Sequence, residues 1–242
     1  MKKIFVLFLA LAFSLVLFAP EVLAKNEGPK HNLKETVFVH WPGKRPPVGS
    51  PCQDANSDTV KDFDVAGWHM PDSGLTYKIS TFQAPGNIKS AAISPIKNSF
   101  ATWTATDSKQ IFEYEGTSSL KTAKQRDGEN TLSWGTIGSN AIAITYISWW
   151  GDTGLVDEID TIFNKNYPWS INNQTAGDCG GSLNSYDLQN IATHEAGHWV
   201  GLDDLYSNSD SGLTMYGYGY LGELRKSSLG TGDTLGTQLV AP

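Results

Sequence analysis

His194-Glu195-Ala196-Gly197-His198-Trp199-Val200-Gly201-Leu202-Asp203-Asp204 spells H-E-x-x-H-x-x-G-x-x-D. On an α-helix, residues i and i+4 stack on one face, so His194 and His198 can present imidazole nitrogens to one metal ion while Glu195 stands beside it. Gly201 lacks the Cβ that makes a left-handed turn costly, so it ends such a helix and lets the chain double back. The third ligand then falls on Asp204, three residues after the turn, and not on Asp203. Two neutral imidazoles and one carboxylate leave the fourth position of a tetrahedral zinc ion open, which marks a catalytic site rather than a closed structural one. H-E-x-x-H alone arises by chance in roughly one chain in two hundred of this size, so the longer pattern outweighs the bland reading of two helix histidines satisfied by ordinary neighbours.

Outward from the motif, Ser185 can cap its helix, with Asp187 in the first turn and Leu188, Ile191, Ala192 and Glu195 continuing one face. Residues 75–82 alternate as a strand, with Tyr77 and Ile79 on one side. Ala92, Ile96, Phe100 and Trp103 recur at helical spacing within 87–104, in a helix that either starts at Ser94-Pro95 or is kinked there. Residues 110–114, 131–134, 141–149 and 156–163 read as further strands, 36–41 as a short early one, and Thr231 as the cap of a last short helix. Strand, helix, several strands and a second helix predict an α+β fold with a mixed, twisted sheet. Asp152, Asp157, Glu158 and Asp160 are either calcium ligands or a solvated strand end, the second being the cheaper reading.

The chain opens with Lys2-Lys3, an apolar run over 4–19 and Val22-Leu23-Ala24, which describes a secretory signal peptide over 1–24 or, alternatively, an uncleaved anchor. No later apolar run is long enough to span a membrane. Without that leader the net charge is −8, which argues against nucleic-acid or anionic-membrane partners and for a soluble, secreted, extracellular monomer. Residues 25–65 are polar and then proline-rich, and read as an N-terminal extension or propeptide-like segment ahead of a domain over 66–242.

The motif, together with Met215 eleven residues after Asp204, resembles the metzincin zinc endopeptidases, and within them the bacterial or archaeal matrixin-like proteases. Asn130-Thr131-Leu132-Ser133-Trp134-Gly135, Ala141-Ile142-Ala143-Ile144-Thr145-Tyr146 and the stretch from Asp187 to Thr193 resemble that group's segments in the same order. Most matrixins carry histidine where Asp204 stands, whereas snapalysin-like enzymes carry aspartate. The resemblance implies a metzincin catalytic domain over 66–242 that hydrolyses peptide bonds of proteins or peptides by a zinc-activated water, with His194, His198 and Asp204 on one zinc ion, Glu195 as general base and Met215 beneath the ligands. It also implies that residues 141–146 form an edge strand to which substrate adds antiparallel, with Tyr216, Tyr218 and Tyr220 suited to walling the pocket after the cut. Gly217 stands where some metzincins place a tyrosine at the metal, so no tyrosine is carried over. An inactive secreted binding domain, or a metal-binding protein that keeps the fold, is the competing expectation. Cys52 and Cys179 suggest one disulfide, with Cys52 as a latency ligand the alternative. His31, His40 and His69 have no ligand spacing and read as surface or packing residues.

Overall fold

The computed structural model describes residues 32–43, 58–107, 109, 111–123, 125–138, 140–172 and 182–240. The expected signal peptide, His31, Cys52 and Cys179 lie outside them, and with the cysteines both readings of that pair.

Strand β1 (Leu33–Pro42) is followed by β2 (Leu75–Ser80), helix α1 (Ile93–Thr106), β3 (Phe112–Thr117), β4 (Thr131–Gly135), β5 (Ala143–Trp150) and β6 (Val156–Asn164). A short pair, β7 (Trp169–Ser170) and β8 (Tyr186–Asp187), leads into α2 (Leu188–Val200), β9 (Tyr218–Gly219) and α3 (Thr231–Leu239). Among the described residues the main sheet has seven strands in the order β3-β2-β4-β6-β5-β1-β9. The first four are mutually parallel, β5 is antiparallel to β6 and to β1, and β9 runs parallel to the end of β1. This is an α+β fold with a mixed sheet. No helix among the described residues is long and apolar enough to cross a membrane.

The two long helices pack on each other and on the sheet through aromatic side chains. Phe100 of α1 lies 5.1 Å from Trp199 of α2 and 4.3 Å from Tyr77 of β2, ring centre to ring centre, and Trp103 Nε1 donates to the Thr193 carbonyl at 2.8 Å. Every residue of α2 except Gln189 is buried, so this helix has no wet face on which polar periodicity could show.

The local chemistry corrects several expectations. Asp187, not Ser185, caps α2: its side chain accepts from Asn190 N at 2.9 Å and so satisfies one of the orphan donors of the first turn. Helix α1 begins at Ile93, which puts Pro95 in the first turn, where its missing N–H costs nothing. Helix α3 is entered through Gly230, and Asp233 takes the Gly230 N–H at 2.7 Å.

The larger correction concerns β1, which is ten residues long and pairs with β5 from Leu33↔Trp150 to His40↔Ala143. The strand expected to be an open edge is therefore covered by the N-terminal extension.

The acidic residues near β6 serve the neighbouring turn. Glu158 accepts from the N–H groups of Arg126 and Gly128, and Asp160 accepts from Thr131 N at 3.1 Å. Among the described residues they do not converge with Asp152 and Asp157 as a ligand group. Burial, reinforced by neighbouring Glu158, pushes the Asp160 carboxyl up to about 8. The folded chain thus holds a proton that the unfolded chain releases near pH 4, so stability should fall as pH rises from about 4 to about 8 and level off outside that window. Asp160→Asn should flatten the slope, as measured by urea unfolding across that range; an unchanged slope would remove Asp160 as its source.

Candidate metal centre

Helix α2 delivers His194 and His198 one turn apart, and Gly201 ends it in the left-handed region at φ 113°. The Gly201 N–H donates to the Gly197 and His198 carbonyls, and Leu202 N to the Gly197 carbonyl at 3.0 Å, a closure that swings the chain back beneath the histidines. The returning chain supplies partners that fix both rings. His198 Nδ1 lies 2.9 Å from the Leu202 carbonyl oxygen and His194 Nδ1 lies 2.8 Å from that of Thr214. A carbonyl only accepts, so each Nδ1 carries the proton and each Nε2 keeps its lone pair toward the centre.

Asp204 Oδ1 faces those lone pairs, 3.1 Å from His194 Nε2 and 3.7 Å from His198 Nε2. The contact is not aligned as a hydrogen bond: His194 Nε2 and Asp204 Oδ1 are both buried atoms without a hydrogen-bond partner. Two ligands on a tetrahedral zinc with bonds of about 2.0–2.1 Å stand about 3.4 Å apart, and the two separations bracket that value. The three side chains therefore fit a small, tetrahedrally coordinated cation. Burial lowers both imidazoles, His198 to about 4, which keeps them in the neutral form that ligates. Burial works to raise the Asp204 carboxyl, against the hydrogen bond that it accepts from the Tyr206 hydroxyl.

Four residues outside the motif support this group. The Tyr206 hydroxyl donates to Asp204 Oδ2 at 3.0 Å, leaving Oδ1 for the metal. Gly217 makes room for that ring, since a Cβ there would stand 2.6 Å from the Tyr206 ring and 3.2 Å from Asp204 Cγ. Met215 fills the space where a Cβ of Gly197 would sit, and Asp233 pins the methionine turn by accepting from Thr214 N at 2.9 Å and Met215 N at 3.0 Å. Asp203 stays outside the centre, where its side chain accepts from Asp204 N at 2.6 Å.

Glu195 is fully buried, and burial pushes its carboxyl up to about 8 against the opposing pull of a Thr145 hydrogen bond. A hydroxyl relay reaches it from the sheet. Trp199 Nε1 donates to Thr161 Oγ1 at 3.0 Å, the two threonine hydroxyls lie 2.7 Å apart, and the Thr145 hydroxyl donates to Glu195 Oε2 at 2.6 Å. The Thr145 proton is spent on Glu195, so Thr161 donates to Thr145.

The other carboxylate oxygen meets His40, which the sequence had marked as a packing or surface residue. His40 Nδ1 is 3.1 Å from Glu195 Oε1, while its Nε2 is 3.4 Å from the ammonium of Lys226. Both His40 ring nitrogens are therefore engaged, one at the Glu195 carboxyl and one at Lys226. His40, His194 and Glu195 also lie close enough to share an ion, but both His40 nitrogens are engaged, which makes the His194, His198 and Asp204 group the better candidate. Lys226 is itself buried and donates to the Tyr216 and Tyr218 carbonyls. His69, by contrast, is held by the Met70 and Thr153 carbonyls, far from this centre in role.

Tyr216 is buried against the ammonium of Lys226, and Tyr218 pairs with β1, so the stretch after Met215 does border the centre. No sequence spacing could have pointed to His40, Thr145, Lys226 or Tyr206, because each arrives from a different element. Compared with protein-family models and with curated proteins, the chain finds no match, so the centre is read from its own geometry.

Proposed function

We propose that the chain is a secreted zinc-dependent endopeptidase of the metzincin, matrixin-like type, with His194, His198 and Asp204 holding the ion and Glu195 as general base. The observation that carries this reading is the pair of imidazoles locked at Nδ1 by carbonyls, with His194 Nε2 facing an Asp204 oxygen and neither of those two buried atoms holding a hydrogen-bond partner. A zinc ion held there supplies a Lewis acid and a water more acidic than bulk.

The chain's residues do the rest. Glu195 takes a proton at Oε1 from the attacking water and returns it to the leaving amine nitrogen, while Thr145 holds Oε2 and fixes the carboxylate's direction. An extended peptide adds antiparallel to β5 through backbone hydrogen bonds. In the form described, β1 fills that edge, and His194, Glu195 and His198 are at most 1% exposed, so turnover requires β1 to leave. The test is zinc content and peptide-library cleavage of the mature chain after limited proteolysis, with and without chelator. Zinc near one per chain and chelator-sensitive cleavage are expected; zinc without cleavage would favour the metal-binding alternative.

A further inference from the structure

We infer that Leu33–Pro42 is a substrate mimic held in cis, which closes the site by engaging the base Glu195 rather than the metal. This rests on the protease reading above and names the regulation and preference of the same site. The strand runs antiparallel to β5 over eight residue pairs, and its end runs parallel to β9, as Trp41↔Tyr218 and Pro42↔Gly219. It thus threads between the sheet and the stretch after Met215, the course assigned to an extended peptide.

Its inward side chains take the places that matter. Phe38 stacks on the His198 ring with centroids 3.9 Å apart and planes 12° apart, and His40 lies 3.8 Å from the His194 ring. Both are buried, while Val37 and Trp41 on either side are exposed and Val39 between them is partly so, the alternation of a peptide lying on a sheet edge. His40 Nδ1 sits 3.1 Å from Glu195 Oε1 and the Thr145 hydroxyl donates to Oε2, so both oxygens of the base are covered and neither is open to an attacking water. Ligation of the ion by the covering segment is unnecessary. Lys226 closes the pocket behind His40, with two of its protons on carbonyls and the third directed at His40 Nε2. When β1 leaves, that third donor is unanswered inside a buried pocket, so an incoming side chain with an acceptor, such as glutamine or histidine, is preferred there over leucine.

The test uses the full mature chain in two forms. One is the Phe38→Ala/His40→Ala variant; the other keeps every native side chain and carries an inserted protease site between residues 43 and 58, cut after folding. Near-ultraviolet circular dichroism checks that each stays folded. Relative to the uncut wild type, both should lose zinc to chelator and exchange the β5 amide protons at least about tenfold faster, and bind a labelled peptide of sequence LKETVFVHWP. The same peptide with glutamine for its histidine should still bind, and with leucine should bind at least about tenfold more weakly. Equal zinc loss, equal exchange and equal peptide binding in closed and cut chains would overturn the mimic. An opened chain that binds zinc and peptide but cleaves nothing would sink the protease reading and leave the mimic standing. An uncut wild type that cleaves as fast as the cut chain would do the reverse.

Discussion

Replacing Glu195 with glutamine is expected to leave zinc in place and to lower peptide hydrolysis by the opened chain about 10²–10⁴-fold. The carboxylate is not among the three atoms that fit the ion, so metal content has no reason to change. What goes is the acceptor for the water's proton, since an amide oxygen is far too weak a base at neutral pH. The amide also puts an NH₂ group in place of one buried carboxyl oxygen, against either His40 Nδ1 or the Thr145 hydroxyl, so a stability loss of about 1–3 kcal/mol should accompany the change in the closed form. Zinc analysis, kinetics and thermal unfolding together separate these effects. Turnover at the wild-type rate, once contamination is excluded, would end the assignment of Glu195 as base.

Asp204→Ala should lose zinc affinity and activity together, whereas Asp203→Ala should keep both. Asp204 contributes the unpartnered oxygen of the centre, and without it two imidazoles remain, too few to hold zinc tightly in competition with water. Asp203 only braces the turn through the Asp204 N–H, so its loss should cost about 0.5–1.5 kcal/mol of stability. Tyr206→Phe belongs between them, because it frees Asp204 Oδ2 and lets the ligand rotate; supporting partners of this kind are worth about 10–100-fold in metal affinity. Competition with a chromogenic chelator ranks the three variants, and zinc loss confined to Asp203→Ala would reverse the assignment.

The sequence disclosed the centre better than its surroundings because the ligands lie within one helix and its return, where spacing alone determines which side chains can meet. The same holds for β2, whose buried Tyr77 and Ile79 alternate as expected. β4 has five buried residues in a row, and α2 is buried nearly all round, so burial there carried little periodic signal and the boundaries came from caps and turns instead. Ser185 and Asp187 could each cap α2 by residue type, and only the geometry chose between them. The role of His40 at Glu195 is illegible in the sequence for a different reason. A six-residue alternation can announce a strand, but its partner lies more than a hundred residues away, and no local property of residues 36–41 names β5. Lys226 was passed over likewise, since a lysine is buried only when several distant acceptors surround it.

Asp233 ties the far end of the chain to the turn that carries Met215. Its two oxygens accept from Gly230, Thr214 and Met215, so one carboxylate starts the last helix and holds the turn whose Thr214 carbonyl orients His194. Trimming the C-terminus back past this residue would therefore disturb ligands that lie well upstream of the cut. The tail is thus a structural member of the candidate centre, and a shortened chain should lose the carbonyl that orients His194.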